Sequence, residues 1–140
     1  FDSSTTWSHA IINPDGSRDA HYDMVKAVNA TVLSLGAQLL NAESTGVYQL
    51  GTLPPHGTAA PADAPVTTTD KADLTVGLFK TTDGHTLALI ANRDYKNVAS
   101  FTLHLPDAKL EIFDQPSNSW RPYTNREFHL PAAAAYLLRW

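Results

Sequence analysis

Apolar residues recur along this chain with two different periods. Tyr22, Val25, Val28, Val32 and Leu35 fall three or four residues apart. That spacing places them on one face of a helix. Asp23, Lys26, Asn29 and Ala30 occupy the other face, so the pattern is that of a surface helix with something apolar beneath it. Asn13-Pro14-Asp15-Gly16 is a turn cluster, and Ser17 or Asp19 stands where an N-cap is needed. Gly36 stands where a left-handed residue ends a helix. The spacing therefore predicts one helix over residues 19–35. Its stripe is expected to cover a β-sheet or, failing that, to pair two copies in a homodimer, because a bare apolar stripe promotes association.

From Leu74 onward the period becomes two. Leu74, Val76 and Leu78 alternate with Thr75, Gly77 and Phe79. Asp83-Gly84 is a hairpin signal, with residues 86–91 as the returning strand. Phe101, Leu103 and Leu105 alternate and stop at Pro106. Residues 110–113, 120–123, 126–130 and 133–138 follow, separated by Pro, Asn, Asp or Ser. Six or seven short strands at this spacing predict a mostly-β domain, an antiparallel β-sandwich with one N-terminal α-helix. Residues 47–50 read as a further short strand. Pro54, Pro55, Pro61 and Pro65 punctuate a stretch of Ala, Thr and Gly. Proline removes amide donors and fixes φ, so this stretch reads as a linker or loop. The expected division is a helix-containing segment at 1–53, a Pro-rich linker or loop at 54–72, and a β-sandwich at 73–140.

Composition narrows the chemistry. The 140 residues include no cysteine, which removes disulfides, thiolate zinc sites and thiol nucleophiles. Ten Lys and Arg stand against fourteen Asp and Glu, for a net charge of −4, so the basic footprint of a nucleic-acid partner is missing. The longest apolar run, 132–138, is too short to span a bilayer. No charged segment followed by an apolar one marks a signal peptide. A start at Phe1-Asp2 without Met reads as a cut from something longer.

Candidate reactive groups are sparse. The glutamates are Glu43, Glu111 and Glu127, and the last two fall in strands, where polar residues face outward. Glycoside hydrolysis requires two carboxylates facing across a cleft, a pair this chain does not visibly supply. The six histidines show no helical metal spacing, although His104 and His129 could meet across strands. No nucleophile elbow or phosphate loop occurs. Asp63, Asp70 and Asp73 lie close together in sequence and admit a structural calcium, without forming a motif. No other cofactor is indicated. Asn29-Ala30-Thr31 is a glycosylation sequon inside the expected helix and is read as chance.

Two segments carry a resemblance. The first is Ser3-Ser4-Thr5-Thr6-Trp7, then residues 10–16 (AIINPDG) and 21–29 (HYDMVKAVN). It resembles the end of a retaining glycoside hydrolase barrel of the β-galactosidase-like clan, where an aromatic ends the last strand and D-G-x-x-x-x-x-Y opens the last helix. The second is residues 74–80, Asp83-Gly84, residues 91–97 (ANRDYKN) and the ending Leu137-Leu138-Arg139-Trp140. It is similar to the small β-sandwich that follows such barrels. The clan's acid and nucleophile sit on earlier barrel strands, which this chain lacks. The resemblance therefore implies a non-catalytic accessory domain, an attached catalytic domain, and an extracellular or periplasmic setting.

It also implies a polysaccharide or oligosaccharide as partner. Sugar rings stack their C–H faces on electron-rich aromatic faces. Trp120, Arg121, Tyr123 and Asn125 combine such faces with hydrogen-bonding side chains, and Tyr95 adds an outer position. These five are the expected carbohydrate-binding residues. The competing reading is that Trp120 packs, as Trp usually does, in a structural end-domain without glycan affinity.

Overall fold

A computed structural model describes residues 11–68, 71–105 and 109–140. Trp7, His9, Asp70 and the strand stop at Pro106 lie outside them. The chain divides into two compact units, Phe1–Ala37 and Gln38–Trp140.

In the first unit Gly16 (φ 83°) turns the chain ahead of the helix. The helix, α1, spans His21–Leu39. Asp19 caps it, its carboxylate accepting from the His21 amide at 3.0 Å. A side-chain oxygen here satisfies one of the amides that the first turn leaves unpaired. The helix runs four residues beyond the expected end. Gly36 is not among the positive-φ residues and sits within the helix, and the turn comes at residues 40–41. A glycine signals a stop only where the backbone adopts the left-handed conformation. Leu35 is buried, but Met24, Val28 and Val32 are 61–65% exposed.

The second unit holds β1 (Ala42–Leu50), β2 (Val66–Thr67), β3 (Leu74–Thr81), β4 (Thr86–Asn92), β5 (Ala99–Leu103), β6 (Leu110–Asp114), β7 (Ser119–Tyr123), β8 (Glu127–Leu130) and β9 (Ala135–Arg139). They form two antiparallel sheets, β1-β3-β4-β9-β6-β7 and β2-β5-β8. The expected β-sandwich with one N-terminal helix is the observed architecture. Two boundaries differ from expectation. The 54–72 stretch is not a divider: Val66 is fully buried and pairs with Leu103, and the Gln49 amide donates to Thr58 O at 2.7 Å. The division into units falls at residue 37 instead. Prolines confined to the bends leave the amides between them free for pairing.

The core lies between the sheets. Val76, Ala88, Ile90 and Leu138 come from the larger sheet, and Phe101, Leu103, Phe128 and Leu130 from the smaller. Phe128 is the hub. Its ring stacks on Phe101 (centroids 4.7 Å apart, 4° between planes) and on Tyr123 (5.0 Å, 22°), and meets Tyr136 at 6.3 Å. Phe101 and Phe128 are directly paired across β5 and β8, whereas Tyr123 and Tyr136 reach in from β7 and β9. The aromatic group therefore spans both sheets.

Among the described residues, Asn92 is the buried polar one. Its amide nitrogen donates toward Asn97 O (2.8 Å), Pro131 O (3.1 Å) and Leu130 O (3.3 Å), and its oxygen accepts from the Asp94 amide (2.9 Å). It ties the end of β4 to the end of β8. Next to it, Arg93 donates to Leu50 O (3.0 Å) and Thr52 O (2.7 Å) at the end of β1. The Asn-Arg-Asp run thus consists of backbone ties. A buried amide with its hydrogen bonds made costs little, and one left unpaired costs far more.

Truncating the hub should be severe. Phe128→Ala is expected to lower unfolding stability by about 3–5 kcal/mol, read as a lower urea midpoint at unchanged slope. Burial pushes the Tyr48 hydroxyl up to about 12. An unfolded tyrosine loses its proton near pH 10, so between about pH 10 and 12 the unfolded chain ionises while the folded one does not. Stability present below pH 10 is expected to fall through that window. Tyr48→Phe should flatten this part of the pH–stability curve.

Candidate functional site: the Trp120 cleft

The period of two decides where the candidate aromatics go. Trp120 and Tyr123 are three residues apart on β7, so they point to opposite faces of the six-stranded sheet. Tyr123 faces inward and stacks on Phe128. Trp120 faces outward, cross-strand from Phe113. The two do not form one stacking surface.

The outward face has its own packing. Leu87, Phe113 and Leu137 are buried there, and Trp120 leans on Phe113 with centroids 5.3 Å apart and planes at 58°. The indole N–H donates to Gln38 Oε1 at 3.0 Å. The Arg139 guanidinium lies 4.3 Å from the Trp120 ring centroid. Arg139 is held there by Glu111, its cross-strand partner, with Nε and Nη2 at 2.8 and 2.5 Å from the same carboxylate oxygen. A planar cation over an indole face is favourable, and the carboxylate fixes its position.

An open cleft of about 280 Å³ lies beside Trp120. Gln38 and Asn41 contribute amides to it. The β3–β4 hairpin contributes the hydroxyls of Thr81 and Thr82, the Asp83 carboxylate and the His85 imidazole, while Leu87 and Arg139 complete the sheet side. The hairpin is tightly organised. Gly84 takes φ 92°, and the Thr81 amide donates to His85 O at 2.9 Å. The Thr81 hydroxyl donates to Asp83 Oδ1 at 2.5 Å. That bond, aided by His85, holds the Asp83 carboxyl below the usual carboxylate range. His85 Nε2 lies 3.7 Å from Asp83 Oδ2.

The remaining candidates fall elsewhere. Arg121 donates to Asp114 at 2.8 Å and braces the β6–β7 turn. The Ser117 hydroxyl also donates to Asp114, and this contact first, then Arg121, keeps its carboxyl below the ordinary range. Asn125 accepts from the Glu127 amide at 3.0 Å at the start of β8. Tyr95 is 73% exposed on the loop after β4, with Lys96 Nζ 5.1 Å from its ring centroid. Asp94 shapes that loop by accepting from the Lys96 and Asn97 amides at 2.8 and 3.1 Å. Of the five expected residues, Trp120 alone lines the cleft.

His104 and His129 do not pair. His104 Nε2 lies 2.8 Å from the Thr67 hydroxyl, and His129 Nδ1 lies 3.1 Å from that of Ser100. Asp73 accepts from the Thr52 amide at 2.6 Å and lies 3.7 Å from Arg93, while Asp63 is exposed. Among the described residues no three His, Asp or Glu side chains gather as metal ligands, and no helix is long and apolar enough to cross a membrane.

Sequence reasoning passed over Gln38, Asn41 and the 81–85 hairpin as site residues, since their role depends on two distant segments meeting. Arg139 did leave a signal: a lone charge on an otherwise apolar strand.

Fold and cleft define a two-sheet antiparallel β-sandwich with a small polar cleft on the outer face of its larger sheet. No family model matches the chain, and no curated protein or solved structure matches it significantly.

Arg139→Ala removes the cover from Trp120 and the partner from Glu111. The expected cost is about 1–2 kcal/mol. It should also raise acrylamide quenching of indole fluorescence and shift the Trp120 indole N–H resonance.

Proposed function

We propose that the chain is a non-catalytic carbohydrate-binding accessory module of a polysaccharide-degrading glycoside hydrolase, with the Trp120 cleft as its glycan site. The observation that carries this reading is the setting of Trp120. A half-buried indole stands beside side-chain amides and hydroxyls in an open cleft, the mixture that recognises a ring with apolar faces and hydroxyl edges. The two segments that resemble the end of a glycosidase barrel and its following sandwich support the same reading. Such a module acts by proximity: it raises the effective concentration of an attached catalytic domain at the polymer. An extracellular or periplasmic location belongs to this proposal.

A second reading is favoured by a specific observation. Tyr123 is stacked on Phe128 at the seam of the core, and one face of Trp120 is covered by Arg139. On this reading the domain is a structural end-piece, packing against a catalytic barrel or a second copy, without glycan affinity.

Affinity electrophoresis and pull-down on a panel of soluble and insoluble polysaccharides separate the two. Retention is expected on at least one glycan. Trp120→Ala, shown to be folded by circular dichroism, should weaken it at least tenfold, about 1.4 kcal/mol. A folded domain retained by no member of the panel supports the structural reading.

A further inference from the structure

We infer that the Trp120 cleft takes a single neutral sugar ring at a chain end, and not the face of an extended or crystalline polymer; this rests on the carbohydrate-binding reading above. Three observations point the same way. The first concerns shape. A flat polymer face needs several exposed aromatic rings in one plane. Here Trp120 and Tyr123 point to opposite faces of the sheet, Tyr123 is stacked on Phe128, and Tyr95 stands on a separate loop.

The second is size. A volume of about 280 Å³ falls at the lower edge of the range for small-molecule sites, roughly 300–1,000 Å³. It is room for one ring and not for a run of them.

The third is charge. The ionic groups at the cleft are already engaged. Arg139 is held by Glu111, and Asp83 faces His85 and accepts from the Thr81 hydroxyl. A charged ligand would have to compete with these pairs. What the cleft offers freely is neutral. The Gln38 amide accepts from Trp120 through its oxygen, which leaves its NH₂ to donate. Asn41 and Thr82 are exposed at the rim and can both donate and accept. Sugar hydroxyls also do both, whereas a carboxylate or phosphate only accepts.

The test is a titration of the full 140-residue chain, followed by two-dimensional ¹⁵N NMR. The probes are glucose, galactose, mannose and xylose, their β- and α-linked disaccharides, and glucuronate as the charged comparison. At least one neutral sugar is expected to shift the amides of residues 81–85, the Gln38 side chain and the Trp120 indole N–H. Its dissociation constant should be on the order of 1 mM, as befits one solvent-open ring. The matching disaccharide should bind no more than a few-fold tighter. Asn41→Ala with Thr82→Ala removes two exposed rim groups without touching the core and should weaken binding about tenfold.

Tighter binding of glucuronate than of every neutral sugar would overturn the charge argument. Retention on an insoluble polymer that the Asn41/Thr82 double variant leaves unchanged, with no response to soluble sugars, would overturn the inference and leave the carbohydrate-binding reading standing. No response to any soluble or insoluble glycan would remove both.

Discussion

The sandwich is organised around the ring of Phe128. It lies flat against Phe101 within the small sheet and against Tyr123 from the large one, with Tyr136 at its edge. Aromatic side chains bury large areas, and offset or tilted contacts among them add to that burial. Placing four of them at the seam gives the two sheets one relative position. It also holds one face of the part-buried Tyr123 and the ring of the part-buried Tyr136 against the core. Removal of water from this seam raises the Tyr136 hydroxyl above its ordinary value, as burial does for Tyr48.

Because the seam uses one face of the large sheet, the other face is left for different work. There Phe113, Leu87 and Leu137 form a second buried layer, and Trp120 lies on it between Phe113 and Arg139. The Glu111–Arg139 pair is cross-strand, so the ladder register sets its geometry. A charge pair on a sheet surface stabilises modestly. Its larger effect here is positional. It pins a guanidinium on an indole and leaves the polar groups of residues 38–41 and the hairpin to line the cleft.

The loop after β4 shows how a conspicuous sequence run can be structural. Asn92, Arg93, Asp94 and Asn97 are a run of polar residues between two strands, where a binding loop would be sought. Three of them engage backbone, Asn92 at the end of β8, Arg93 at the end of β1 and Asp94 within the loop, and the Asn97 side-chain amide donates to Asp94. Tyr95 projects from this rigid base into solvent.

The sequence by itself determined the elements. The three-to-four spacing through Leu35 specified a helix, alternation from Leu74 specified strands, and Asp83-Gly84 specified the hairpin, because these signals act between near neighbours. It did not place the helix end, since Gly36 stops a helix only in the left-handed conformation, and neighbours four residues on carried it through. The proline stretch, read as a linker or loop, is loop up to residue 65 and then enters the small sheet at Val66, buried opposite Leu103. Tertiary structure alone decided the site. Alternation along β7 already separates Trp120 from Tyr123, but only packing shows which of the two faces is the core. Only the meeting of residues 38–41, the hairpin and Arg139, up to a hundred residues apart, makes a cleft. Such contacts arise from strand order, and strand order is a property of the whole chain that no local window contains.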